Sequence, residues 1–286
     1  MSTAKIGVIG GSGLYNIESM EGLREFEINT PFGKPSDKII TGNLDGVNFA
    51  FLPRHGKGHV LSPTEVNYRA NIYALKSLGV EILVSVSAVG SLKEEHNLET
   101  LVLVDQFVDY TKHRKSTFFG DGVVAHVSFA KPTCQELSNI LSKSANNLEI
   151  KVAEKGTYIC MEGPQFSSKA ESIVYRKLDF DVIGMTNATE AKLAKEAEMC
   201  YASMSFVTDY DCWHESEADV SVDLVLKTIK NNTEHAKIII KKAVQEIAKM
   251  TECRCRNSLK NTIMTEPSEI TDKVKSAKGL IIEKYL

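Results

Sequence analysis

The chain has 286 residues, 43% of them hydrophobic, and sets 34 lysines and arginines against 37 acidic residues for a net charge of −3. That length supports one large core or two modest ones. The near-neutral balance, with no basic block interleaved with aromatics, argues against a nucleic-acid partner, and no apolar run is long enough to argue for a membrane one. The start, MSTAKIGVIGGSG, has no signal-peptide pattern, so a cytoplasmic protein is expected, with the nucleus as the other compartment open to it.

In chain order, Lys5–Ile9 reads as a strand running into Gly10-Gly11-Ser12-Gly13, a turn that can offer backbone N–H groups and a hydroxyl to an anion. It lacks the spacing and the downstream acid of a dinucleotide fingerprint, which leaves a dehydrogenase reading remote. Residues 38–53 read as a β-hairpin turning at Asp45-Gly46. Its second strand delivers Arg54-His55-Gly56-Lys57-Gly58-His59, where a planar guanidinium and two histidines suit a phosphate-sized anion. Ser62-Pro63-Thr64-Glu65 has the pattern of a helix start, for a helix ending at Gly79. Residues 80–92 form a continuous apolar strand closing on Ser87-Ala88-Val89-Gly90-Ser91, and a further buried strand is predicted over 101–108.

Residues 110–134 are polar and irregular and hold His113, Arg114 and His126. A helix is predicted over 131–147 and a strand over 151–161, followed by Glu162-Gly163-Pro164-Gln165-Phe166-Ser167-Ser168. Ser168 and Glu171 form a capping box for a helix over 169–178. The strand 182–185 leads to Met185-Thr186, with Asn187 and Glu190 spaced as a second capping box for a helix over 188–199. The strand 200–207 then delivers Asp209 and Asp211 just past its end. A long helix over 220–250 has Val222, Val225, Ile229, Ile238 and Ala243 on its buried side, and 251–286 is too weakly patterned to assign.

Strands alternating with helices, plus a hairpin, predict a single α/β domain over 1–286 with a central mixed sheet flanked by helices. The six cysteines read as reduced thiols packed like small hydrophobes. Cys253 and Cys255 are the one close pair, with no ligand near them in sequence, so no metal site is expected. Ligands of open α/β sheets bind beyond strand ends. Here those ends carry Ser12, Arg54 with His55, Ser87, Met185-Thr186, and Asp209 with Asp211. Hydroxyls, backbone amides and one arginine can hold an anion without a metal, and a nearby carboxylic acid can protonate a nitrogen heterocycle.

The segments IGVIGGSGL, TPFGKPS, RHGKGH, NYRANIYALK, AVGSLKEE, DQFVDYT, EGPQFSS, GMTNATEAKLAKEA and TDYDCW, in this order, resemble the methylthioadenosine branch of the trimeric purine nucleoside phosphorylase family. The resemblance covers nearly the whole chain before the tail. It implies the nucleoside phosphorylase fold and phosphorolysis of 5′-methylthioadenosine to adenine and 5-methylthioribose 1-phosphate, a step of methionine and purine salvage. It implies no cofactor, with inorganic phosphate as co-substrate, and a homotrimer.

By the same resemblance Ser12, Arg54, His55, Ser87, Ala88 and Thr186 would bind phosphate. Met185 would touch the ribose, Phe166 and Val89 the base, and Val222 and Val225 the 5′ methylthio group. Asp209 would sit at the purine N7 and 6-amino edge as general acid, supported by Asp211. His126 and part of 251–286 would come from a neighbouring subunit. Family members for 6-oxopurines carry glutamate where Ser167 stands and asparagine where Asp209 stands, so Ser167 and Asp209 would set specificity for adenine nucleosides, and Val222 at the sugar end would set it for the methylthio group. The chain departs from the family pattern at Val86-Ser87-Ala88-Val89-Gly90 and Asn187-Ala188-Thr189. The alternatives are a broader purine nucleoside phosphorylase taking adenosine or 6-oxopurine nucleosides, and a non-catalytic nucleotide-binding module.

Overall fold

A computed structural model describes residues 4–286 except 12, 15, 16, 18, 19, 147 and 215–221, with the backbone but not the side chains of 222–227. The sheet is built around β5 (Ile82–Ser91), a strand of apolar and small residues buried along its length except at Ala88. Such a strand belongs in a sheet covered on both faces. On one edge β11 (Cys200–Asp209) runs parallel to it, from Cys200 beside Ile82 to Asp209 beside Gly90. The other edge changes partner. There β1 (Ile6–Gly10) pairs parallel with 82–85, and β10 (Val182–Gly184) pairs antiparallel with Gly90 and Ser91. Residues 86–89 have no partner strand on that edge among the described residues.

From β1 the sheet continues through β4 (Val47–Pro53) and β3 (Ile39–Leu44) to β2 (Met20–Phe26). The predicted hairpin is therefore present, with an outer strand that the sequence pattern did not reveal. From β10 the path passes through β9 (Thr157–Cys160) to β7 (Gln106–Asp109). Beyond β11 lies β6 (Leu101–Val104), which also pairs with β8 (Val152–Ala153).

The single strand expected over 101–108 is thus divided at Asp105, whose carboxylate accepts the Gly156 N–H at 3.1 Å. One half joins β11 and the other joins β9. The strand expected over 151–161 is divided in the same way around Gly156, where a Cβ would lie 2.7 Å from Val102. Because β6 runs straight into β7, the pairing path returns to β5 and encloses Val89, Val102, Val104, Tyr158, Val182, Ala188 and Val207.

Two further cores line the outer faces. Ile82 and Val84 point to one, covered by α2 (Gln135–Ala145) and α5 (Val222–Ala248); Leu83 points to the other, covered by α1 (Tyr68–Ser77), α4 (Asn187–Glu196) and α6 (Asp272–Ile282). This is the period-2 alternation of a strand between two helical layers. A short helix, α3 (Lys169–Lys177), starts at the predicted capping box: the Ser168 hydroxyl accepts from Glu171 N–H and the Glu171 carboxylate from Ser168 N–H.

Three expectations are corrected. Ser62-Pro63-Thr64-Glu65 makes its local contact, Ser62 N–H to the Glu65 carboxylate at 2.9 Å, but only as a turn. Helix α1 begins later, where Asn67 accepts from Ala70 N–H at 3.2 Å while donating to the Phe32 carbonyl at 2.8 Å. Ile238 on α5 is exposed; Ala236, Ile239, Ile240, Val244 and Ile247 join Ala243 on the buried side. The tail is structured: Leu259, Ile270, Val274, Ile281 and Ile282 enter the core beneath α1 and α4.

Candidate active site

Arg54 leaves β4 beside the unpaired stretch of β5 and is 3% exposed. Its Nε donates to Glu190 Oε1 at 2.5 Å and its Nη2 to Glu190 Oε2 at 3.2 Å, a two-pronged pairing with a carboxylate that is 1% exposed. Nη1 donates to the Val86 carbonyl at 3.0 Å and Nη2 to Ser85 Oγ at 2.7 Å. Burial alone would favour the neutral guanidine; the Glu190 charge and hydrogen bonds outweigh it and hold Arg54 above its ordinary value. Glu190 was expected to cap its own helix. Instead Thr186 is the N-cap residue, Asn187 is the first helical one, and Glu190 reaches across to Arg54.

His55 follows, stacked on His59 with ring centres 4.4 Å apart. Its Nδ1 lies 2.8 Å from the Leu61 carbonyl, which can only accept, so Nδ1 carries the proton and Nε2 the lone pair. Burial, together with the Arg54 charge, pushes the imidazole pKa down to about 4, so the ring is neutral near pH 7.

Thr186, Asn187 and Ser87 form a buried polar chain. Thr186 Oγ1 donates to Asn187 Oδ1 at 2.8 Å, and Asn187 Nδ2 donates to Ser87 Oγ at 3.1 Å and Ser203 Oγ at 2.5 Å. Ser87 and Ser203 each meet Ser205, at 3.3 and 2.9 Å. Ala88 is the exposed residue at the opening above this chain.

Asp209 ends β11 where the register with β5 shifts after Val207. A bulge there re-aims the strand end. Its Oδ2 accepts from Thr208 Oγ1 and its Oδ1 from Asp211 N–H, both at 2.8 Å. Gly90 makes room for it: a Cβ there would sit 2.9 Å from Asp209 Oδ1. Asp211 has a positive φ of 51°, and its Oδ2 is buried with no hydrogen-bond partner among the described residues. Burial pushes both carboxyls above the ordinary aspartate range. The Ser172 and Ser167 hydroxyls only partly counter this at Asp211, where the Asp209 charge adds to it. Trp213 pins the loop, donating from Nε1 to the Ser91 carbonyl at 2.7 Å beneath the Arg176 guanidinium.

Opposite lies the 162–168 segment. Arg114 donates to the Met185 carbonyl and, at 2.7 Å, to the Glu162 carbonyl. Partial burial would raise the Glu162 carboxyl, but Thr64, the Lys112 and His113 N–H groups and the Arg114 charge hold it down to about 2. The sequence names Arg114 and Glu162 without giving either a role, and its spacing assigns Glu190 to a cap. Phe166 is 54% exposed, and the Ser167 carbonyl accepts from the Cys212 thiol.

Not every candidate joins this group. Val89 is 2% exposed and packs with Ala188 and Val207, so its side chain is occupied by the core. His126 donates its N–H to the Thr262 carbonyl and lines a surface recess of about 410 Å3 with Lys192, Lys195 and Glu196, at the far end of α4 from Thr186. Ser12 and the side chains of Val222 and Val225 lie outside the described residues. The six cysteines are free thiols, and Cys134 and Cys200, distant in sequence, sit against Cys253 and Cys255.

A sequence model of the phosphorylase superfamily matches residues 5–245. S-methyl-5′-thioadenosine phosphorylase of Geobacter sulfurreducens is 53% identical over 282 residues, 98% of this chain and 99% of that one. Among solved structures, a methylthioadenosine phosphorylase from an antarctic soil metagenomic library superposes with a TM-score of 0.94 at 47% identity, covering 98% of this chain and 99% of that one. An adenosine/methylthioadenosine phosphorylase variant from Schistosoma mansoni in complex with adenine gives a TM-score of 0.83 at 33% identity, covering 98% of each chain.

The Arg54–Glu190 pair yields a stability prediction. Removing one partner strands a buried charge, so Glu190→Gln is expected to cost about 3–5 kcal/mol in denaturant unfolding. An unchanged midpoint would show that Ser85 and the Val86 carbonyl suffice to hold Arg54.

Proposed function

The chain belongs to the phosphorylase superfamily, and from that premise we propose that it cleaves S-methyl-5′-thioadenosine with inorganic phosphate, giving adenine and 5-methylthioribose 1-phosphate. The observation that carries this reading is the pairing, at one opening in the sheet, of an anion-compatible set (Arg54, His55, Ser87, Thr186) with two carboxyls whose burial favours their neutral form.

Phosphate lies over Ala88 and takes hydrogen bonds from its N–H, the Ser87 hydroxyl and the guanidinium, and from the Thr186 hydroxyl once that turns from Asn187 Oδ1. His55 accepts through Nε2, which suits hydrogen phosphate: its one P–OH donates there while its bare oxygens face the donors. Met185 lies along the ribose and Phe166 closes over the base.

As the bond from C1′ to N9 breaks, positive charge grows on the sugar and negative charge on the purine. The phosphate dianion stabilises the sugar and then bonds to C1′. Asp209 gives its proton to N7 and accepts from the 6-amino group, so adenine leaves neutral. Asp211 supports Asp209 by position, its N–H holding the Asp209 Oδ1 at 2.8 Å. Ser167 leaves no carboxylate for a 6-oxopurine N1–H, which sets the preference for adenine. Phosphate is the co-substrate, and these roles require no cofactor or metal at the site.

We place the enzyme in the cytoplasm as a homotrimer. Among the described residues no helix is long and apolar enough to cross a membrane. The exposed Val124 and Met264, joined by the Met264 N–H to the Val124 carbonyl, form an apolar patch beside His126 that suits a subunit contact. Across that contact His126 reaches a neighbour's sugar site. A second reading, that adenosine is also accepted, is favoured by the likeness to an adenosine/methylthioadenosine phosphorylase.

Two tests follow. Purified enzyme is expected to release adenine from 5′-methylthioadenosine only when phosphate is present, with adenosine slower and inosine inert. Equal turnover of adenosine favours the second reading, and release without phosphate contradicts phosphorolysis. Asp209→Ala is expected to lower kcat by about 10²–10⁴-fold with a much smaller change in substrate affinity. An equal loss of affinity at intact kcat would remove the acid role.

A further inference from the structure

Four cysteines far apart in the chain converge at one point. The Sγ atoms of Cys134, Cys200, Cys253 and Cys255 all lie within 4.8 Å of one another, and those of Cys134 and Cys253 are 3.4 Å apart. Cys134 precedes the first turn of α2, Cys200 opens β11, and the other two sit in the segment that follows α5. Cys134, Cys200 and Cys255 are buried, at 3%, 0% and 6% exposure, and all six cysteines of the chain are unpaired by disulfides.

We propose that these four thiols bind one zinc ion as a closed structural site. A tetrahedral zinc with about 2.3 Å bonds to sulfur sets sulfurs about 3.8 Å apart, close to the spacing already present. Four soft ligands with no oxygen or nitrogen donor, filling every position, are the donor set of a structural zinc rather than a catalytic one.

One feature of the surroundings favours the thiolate form. The Cys255 N–H donates to Cys253 Sγ at 3.4 Å, a bond that steadies a thiolate and orients it. Four thiolates holding one divalent zinc leave a centre of net charge −2, and Arg256, next to Cys255 in the chain, is paired with Glu81 at 2.9 Å. Arg256 is itself strapped to the segment through the carbonyls of Met250 and Thr251. As each zinc–sulfur bond forms its thiol releases a proton, so uptake of one ion liberates up to four.

The site would act as a staple. It fastens the tail, whose Leu259, Ile281 and Ile282 enter the core, to the start of the strand whose far end carries Asp209. None of the four sulfurs belongs to the Arg54–Asp209 group. Metal loss should therefore lower thermal stability while leaving turnover by the folded enzyme nearly unchanged.

The test uses the full chain, produced without a metal-chelating tag. Elemental analysis is expected to find about one zinc per chain, and Cys255→Ser and Cys134→Ser to abolish it and lower Tm. Because those variants can misfold, native protein is also exchanged with cobalt(II). Thiolate-to-cobalt charge-transfer bands and intense tetrahedral ligand-field bands are expected. Metal-free protein, iron in place of zinc, a mass showing the hydrogen loss of a disulfide, or cobalt protein without thiolate bands would each overturn the proposal.

Discussion

The buried pairing of Arg54 with Glu190 is the constraint on which the rest of the site depends. A guanidinium at 3% exposure cannot be tolerated without a compensating charge. Glu190 supplies it from the first turn of α4, while Ser85 and the Val86 carbonyl hold the other side on β5. The end of β4, the middle of β5 and the start of α4 are thereby locked to one another. A pair of this kind adds little net stability over a well-packed apolar alternative. Its contribution is position: a guanidinium fixed at the opening in the sheet before any ligand arrives.

That opening follows from the sheet. One edge of β5 pairs first with β1 in parallel and then with β10 in antiparallel, and 86–89 fall between the two. Backbone groups that would otherwise join a ladder can face a ligand there, which is why ligands favour points where strand order reverses. On the opposite edge the bulge after Val207 and the missing side chain of Gly90 let the Asp209 carboxyl settle against the strand end. The Arg54 guanidinium and the Asp209 carboxyl are thus held on the same three strands and one helix.

How much of this was legible in the sequence depended on the distance between partners. Ser168 and Glu171 are three residues apart, and their capping box formed as written. The polar residues at strand ends, from Arg54 to Asp211, could be picked out because strand ends are readable from apolar runs. Glu190 was misassigned because its spacing from Asn187 imitates a cap, whereas its partner lies 136 positions away. Asn67 took over the start of α1 through a bond to Phe32, a contact no local pattern announces. The cysteine cluster joins residues 119 positions apart, so spacing along the chain concealed it. The tail looked unpatterned because its apolar residues enter the core singly, from short turns and one helix.

The proposed chemistry turns on a carboxyl that its surroundings raise above the ordinary aspartate range. Burial raises Asp209, and hydrogen bonds from Thr208 and the Asp211 N–H only partly oppose it. An acid catalyst must be protonated to act, so activity that depends on Asp209 is fully present below its folded pKa and is lost as pH rises through it. The most direct measurement is an infrared difference titration of the carboxyl stretch, with Asp209→Asn assigning the band. A midpoint above the ordinary aspartate value of about 3.9, moving together with the decline of turnover at high pH, is the expected result. A midpoint at or below that value, with turnover unchanged through it, would contradict general-acid catalysis by Asp209.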